Sequence, residues 1–289
     1  MSDVTSKTAV QASALGDDQI LTDAGFHWRE RGGVRLLICG PLEQAGFSNG
    51  FSTRLGGVSP FPKNDLNLAG FDEDTAENIE ENRLRFLAAF DRPYRLSTAW
   101  QVHGDDIKIV ANDDDVGTSD AKFDALISDL PDVLVGVKTA DCVPILIGDP
   151  ETSAFAAVHA GWRGSSKSIV RKAVARLSEI YGAEPTNLIC SIGPAATCER
   201  YEIGEDVIEA FRSNFSTSGK YLTPTREGHA LIDLHLANKD QLIDAGVRPE
   251  CIFTAPFCTM ERTDLFFSYR VEKKMYGKTG RLLSVIGAR

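Results

Sequence analysis

No run of about 18 or more uninterrupted apolar residues occurs in this chain, so the sequence offers no membrane-spanning helix. The opening MSDVTSKTAVQASALGDDQ lacks the basic-then-apolar order of a secretory signal. Both absences predict a cytoplasmic protein with no membrane partner. Paired CxxC motifs are missing too: the six cysteines, Cys39, Cys142, Cys190, Cys198, Cys251 and Cys258, are scattered through 289 residues, far below the density of a disulfide scaffold. Most are expected as reduced, small, buried side chains. Positive charge is not in excess either. The net charge is -10 and no basic stripe with interleaved aromatics appears, which argues against a nucleic-acid partner. The locally basic stretch from Arg270 to Arg281 reads as a solvated loop. Histidine is scarce, at five residues, and neither an HExxH segment nor an HxH pair occurs. Clustered copper centres need several imidazoles each, and this chain has too few.

What is present is an ordinary globular composition, 43% apolar and 25% charged, long enough to bury a large core. Apolar runs predict strands near 35–39, 106–110, 133–137, 143–147, 154–158, 188–192, 251–254 and 282–286. Helical spacing predicts helices over 75–90, about 165–181 (ending at Gly182), 205–215 and 234–245. Strands come in clusters rather than in strict alternation with helices, which points to an α+β fold of mixed sheets flanked by helices. Residues 1–20 are small and polar and read as a frayed tail. No Pro/Gly/Ser linker divides the rest, so 21–289 is expected to form one domain.

Two of the histidines sit where sites are usually built. His103 in WQVHG precedes a glycine, and His159 in AAVHAGWRG ends a strongly apolar strand pattern that is followed by glycines. Between them, Cys142 follows one apolar run and precedes Pro144, a place where the chain must turn. Two imidazoles and a thiolate suit zinc and leave a fourth tetrahedral position open for water or substrate. From the residues alone, a buried thiol beside two satisfied structural histidines is the plainer reading. Arg163, next to Gly161 and Gly164 and the serine-rich start of a helix, suggests an anion site; pairing with a surface carboxylate fits it equally. Ser52 and Arg54 in FSTRLGGVS, with Asn67, are polar groups near strand ends that are suited to orienting a polar substrate. Asp141 and Asp124 are candidates for supporting groups or a general base.

The ordered motifs FSTRLGGVS, DLNL, ENR, WQVHG, FDALIS, VKTADCVPIL, AAVHAGWRG, SIGPA, YEIG, LIDL, FFSYR and TGRLLSVIG, from about residue 47 to the C-terminus, resemble those of the laccase-domain (YfiH) family. These are multicopper polyphenol oxidase-like proteins regarded as purine nucleoside phosphorylases with adenosine deaminase activity. The resemblance implies an α/β/β/α sandwich similar to a class of cysteine hydrolases. It also implies that His103, Cys142 and His159 bind the metal, zinc or alternatively copper, and serve catalysis. It further implies a purine nucleoside and phosphate as small-molecule partners of a monomer or dimer. Three activities share these residues: phosphorolysis of adenosine, inosine or 5′-methylthioadenosine with deamination of adenosine; a metal-free Cys142–histidine hydrolase or amidase acting on cell-wall precursors; and copper polyphenol oxidation, which the histidine count disfavours.

Overall fold

The computed structural model describes residues 18–61, 65–69 and 74–289. Of the tail expected over 1–20, residues 1–17 lie outside them. Seven strands, numbered in chain order, form the larger sheet: β1 (Phe26–Arg31), β2 (Val34–Cys39), β3 (Phe47–Ser52), β16 (Leu282–Ala288), β8 (Val133–Thr139), β4 (Arg95–Trp100) and β6 (Thr118–Lys122), in that spatial order. Six form the second: β15 (Ile252–Thr254), β11 (Ile189–Ile192), β9 (Val143–Gly148), β10 (Phe155–Ala160), β7 (Ala125–Ser128) and β5 (Ile107–Val110). All eight expected strands are among these. A small sheet, β12 (Glu202–Gly204), β14 (His229–Ile232) and β13 (Leu222–Pro224), completes the set.

The continuous apolar runs are strands buried on both faces, and successive side chains serve different layers. In β2, Leu37 and Cys39 enter the core between the sheets, while Leu36 and Ile38 point outward to pack with Phe86 and Phe90. In β10, Phe155 and Ala157 face the inter-sheet core, and Ala156, Val158 and Ala160 face the opposite side. There they meet Ile169, Val170, Ala173 and Leu177 of the helix Ile169–Tyr181 and Ala237 and Leu242 of the helix Leu234–Asp244. The helix Ala76–Ala88, whose first turn is capped by Thr75 accepting from the Asn78 amide, covers the outer face of the larger sheet. The molecule is thus an α/β/β/α sandwich. None of the helices among the described residues is long and apolar enough to cross a membrane.

Two local expectations need correction. The helix expected over 165–181 is two helices, Trp162–Ser166 and Ile169–Tyr181, because Ser168 adopts a left-handed conformation at φ 61° and breaks the ladder. The basic stretch after residue 269 is no loop: Tyr269–Tyr276 is a helix, capped by Ser268 accepting from the Val271 amide.

Strands β4, β6 and β8 run parallel in the larger sheet, and each is followed by a short turn into the smaller one. The turns before β5, β7 and β9 therefore lie at one end of the sandwich. They carry His103, Asp124 and Cys142.

Candidate metal and substrate site

Strand register accounts for most of the site. β10 lies between β9 and β7, with His159 opposite Pro144 on one side and Val158 opposite Ala125 on the other. The next position along the second ladder sets His159 beside Asp124, and the His159 amide donates to the Asp124 carbonyl at 2.7 Å. Residues two apart share a face, so His159 follows Phe155 and Ala157 into the space between the sheets. Cys142, two before Pro144, lies diagonally across from His159 on that face. The side chains meet accordingly: His159 Nδ1 is 2.7 Å from Asp124 Oδ1, with both residues buried.

His103 arrives from the neighbouring turn with φ 59°, a conformation costly for a non-glycine residue. Asp124 holds it there. Its carboxylate accepts from the backbone amides of Val102 at 3.2 Å, His103 at 2.9 Å and Gly104 at 2.6 Å. One side chain therefore fixes the loop that presents one imidazole and orients the other. The imidazole rings meet edge to face with centroids 4.9 Å apart. Ligand atoms of His103, Cys142 and His159 all lie within 4.8 Å of one another.

Burial opposes charge on Asp124, but the His159 hydrogen bond and charge and the Gly104 and Val102 amides hold its carboxyl below the usual range. Burial likewise disfavours the Cys142 thiolate, yet His159 and His103 bring the thiol down to about 6. His159, against the same desolvation, is raised to about 9 by the Cys142 thiolate and Asp124. The donor set fits a borderline divalent ion: a thiolate ready at neutral pH, an imidazole whose Nδ1 is committed to Asp124 so that Nε2 faces Cys142 and His103, and a third ligand preset by its loop. Metal binding requires a neutral imidazole. At about pH 7.5, between the two values, metal uptake is therefore expected to displace about one proton, from His159. Affinity should therefore already fall as the pH drops below about 9, where His159 takes up its proton, and fall more steeply below about 6, where Cys142 regains its own. Calorimetry in two buffers of unlike ionisation heat measures this, and release near zero would show that His159 is already neutral.

Gly161 stands opposite Cys142 with no room for a side chain. A Cβ there would lie 3.0 Å from Cys142 Sγ and 3.2 Å from His103 Cδ2. Gly161→Ala is expected to weaken metal affinity roughly tenfold or more by displacing two of the three ligands, with little change in the melting temperature of the metal-free protein. Metal titration and thermal unfolding of the metal-free protein check both halves.

The three residues open into a cavity of about 680 Å³, large enough for a nucleoside-sized molecule. Trp100, Trp162, Tyr201 and Tyr269 supply aromatic faces, and Arg83, Lys138, Arg163, Arg270 and Arg281 bring positive charge, against Asp120 and Asp141. Asp141, at φ 80°, makes the tight turn between β8 and β9. Its buried carboxylate accepts from Thr259 Oγ1 at 2.7 Å, Ser268 Oγ at 3.1 Å and the Arg270 amide at 2.7 Å. It thus docks the C-terminal helix at the cavity rim.

The remaining expected substrate residues are placed differently. Arg54 is buried away from the cavity, bound to Asp65 at 2.8 Å, Glu272 at 2.8 Å and the Thr263 carbonyl at 2.7 Å, so its guanidinium is committed to the fold. Ser52 Oγ accepts from the Leu283 amide at 2.9 Å and pins β3 to β16. Asn67 does not line the cavity but holds the Arg281 amide at 2.9 Å and so supports a residue that does. Arg163 is at the rim, stacked 4.2 Å over Trp162. It lies in a five-residue helix, too short to provide the helix-terminus anion site expected there. The cavity's other cations, Arg83, Lys138, Arg270 and Arg281, carried no role in the sequence reading, although ENR and TGR were visible as motifs.

Comparison with known proteins places the chain in a family. Residues 48–289 match the family described as "Multi-copper polyphenol oxidoreductase laccase". A purine nucleoside phosphorylase of Staphylococcus aureus (strain COL) is 36% identical over 87% of this chain and 95% of its own length. That of Deinococcus radiodurans is 37% identical over 82% and 87%. The crystal structure of the hypothetical protein YfiH of Bacillus licheniformis superposes with a TM-score of 0.83 at 28% identity, covering 91% of this chain and 99% of that one. YlmD of Geobacillus stearothermophilus gives 0.82 at 31%, covering 92% and 99%. A match over most of the length, in sequence and in fold, leaves one assignment: the chain belongs to the laccase-like YfiH family.

Proposed function

We propose that this protein is a metal-dependent purine nucleoside phosphorylase, cleaving adenosine, inosine or 5′-methylthioadenosine with phosphate to the free base and a ribose 1-phosphate, and that it deaminates adenosine as a second activity. The observation that carries this reading is the convergence, in one cavity, of the His103–Cys142–His159 cluster with aromatic faces and an excess of cations. The relatives named purine nucleoside phosphorylase support it. Zinc is the proposed metal, since it binds imidazole and thiolate ligands and its catalytic sites have three protein ligands with a fourth position open. Bound there, a zinc ion supplies Lewis acidity for the substrate atoms that gain negative charge. The chain's own part is to orient and exclude: Asp124 fixes His159 and the His103 loop, Asp141 docks the rim, and the aromatic faces offer stacking for a purine. Copper polyphenol oxidation is disfavoured by ligand count. His27 lies beside Glu43, His229 bonds the Glu227 carbonyl and His235 the Gly193 carbonyl, so among the described residues a single three-ligand group remains.

Incubation with adenosine, with and without phosphate, followed by separation of adenine, inosine and hypoxanthine, tests the proposal. Adenine formed only with phosphate is the expected result, and no product under either condition would overturn it. One observation favours a second reading, a cysteine hydrolase: Cys142, His159 and Asp124 stand in the order of nucleophile, base and orienting carboxylate. If chelation leaves activity intact while thiol alkylation abolishes it, that reading replaces the first.

A further inference from the structure

We propose that Arg83, Lys138 and Arg281 form the subsite for a phosphate dianion, on the wall of the cavity away from the metal ligands. The proposal rests on the phosphorylase reading for its substrate, but not for its geometry. Lys138 lies in β8 directly opposite Leu283 of β16, and Arg281 is two residues before Leu283. All three project to the outer face of the larger sheet, where Leu134 and Leu283 meet the helix Ala76–Ala88 through Phe86. Arg83 is one turn before Phe86 on that helix. Helix, strand end and strand start thus bring three cations together, while Cys142 and His159 face the inter-sheet side of the same strand ends, and one cavity reaches both.

Arg83 and Lys138 are poorly satisfied by the described residues. Arg83 makes only long hydrogen bonds, 3.3 Å to Thr118 Oγ1 and 3.3 Å to the Ala69 carbonyl, and its Nε is buried without a partner. Neither Arg83 nor Lys138 has a carboxylate ion-paired to it among the described residues; Glu80 tempers Arg83 from a distance. Burial, then repulsion from Arg83 and Arg281, lowers the Lys138 ammonium to about 8. Partly buried like charges destabilise a fold, and in a chain of net charge -10 this concentration of cations is explained by an anion that fills it. Two guanidinium groups and one ammonium match a tetrahedral dianion. Among the described residues that line this side of the cavity, Asp120 is a carboxylate, and it lies on the exposed edge strand β6. In the reaction, a phosphate oxygen bonds to C1′ and gives up its proton. The N9–C1′ bond breaks, its electron pair leaves with the purine, and the purine takes up one proton.

The test uses the full-length protein and three variants, Lys138→Met, Lys138→Arg and Arg281→Gln, with thermal melting to confirm folding. Loss of a charged contact is expected to raise the apparent KM for phosphate about tenfold in Lys138→Met and Arg281→Gln, with the nucleoside KM within about threefold and Lys138→Arg largely restored. Calorimetric titration of inorganic phosphate, and separately of adenosine 5′-monophosphate, into each protein forms the second arm. Phosphate-dependent cleavage with an unchanged phosphate KM in folded variants would overturn the subsite and leave the phosphorylase reading standing. No cleavage, but phosphate binding that is lost in the variants, would overturn that reading and uphold the subsite. If only the nucleotide binds and the variants abolish its binding, the site takes a substrate's own phosphate and the assignment of inorganic phosphate falls.

Discussion

Asp124→Ala is expected to cost about 3–5 kcal/mol of folding stability and to abolish metal binding. The carboxylate is fully buried, and its removal orphans the amides of Val102, His103 and Gly104 as well as His159 Nδ1. The left-handed His103 then loses the contacts that hold it. Asp124→Asn separates the two roles. Its one amide oxygen can still accept from Val102 and Gly104, but the amide nitrogen then faces the His103 N–H and His159 Nδ1, so stability should be only partly restored, while the His159 tautomer that leaves Nε2 free for a metal is lost and metal affinity should fall about 10–100-fold. Urea unfolding and metal titration of both variants measure this. An Asp124→Ala protein with normal stability and metal content would mean that the His103 loop holds itself.

Cys142→Ala is expected to lose bound metal and, with it, turnover by roughly a thousandfold or more, while folding as well as the metal-free parent. Cys142 sits in a turn and is only partly buried, so its removal leaves little cavity in the core. Loss of both together, by metal analysis and nucleoside turnover, supports a ligand role. An inactive variant that keeps its full complement of metal would make Cys142 a nucleophile instead.

The parts of the fold legible in the sequence are those where packing is two-sided. VLVGV, VPILI and AFAAV are continuous apolar runs because both faces of β8, β9 and β10 are covered. The strands that escaped notice carry polar residues satisfied by distant partners. β3, FSNGFS, was not among the expected strands, yet Asn49 pairs both ways with the Cys39 backbone and Ser48 accepts from Tyr94. The same limit applied to the site. His103, Cys142 and His159 stood out because apolar strands end at them, and the family expected from the motifs is borne out by the comparisons. Asp124 was visible as a candidate, but its importance depends on a partner 35 residues away. Arg54 misled for the converse reason: an arginine beside glycines looks available, and its neutralising partners Asp65 and Glu272 become adjacent only on folding. Helix spacing over 165–181 was sound apart from Ser168, whose left-handed turn leaves no mark in the hydrophobic pattern.

The three turns that cross between the sheets have a mechanical consequence. With His103 and Cys142 on crossings and His159 at a strand end, an ion held by all three acts as a rivet through the open end of the sandwich. Separating the sheets there means breaking its coordination. Metal should therefore raise the melting temperature in proportion to the logarithm of its free concentration. Conversely, the large side chains that set the sheet spacing, such as Phe51 and Phe155, determine the bite of a site they do not touch.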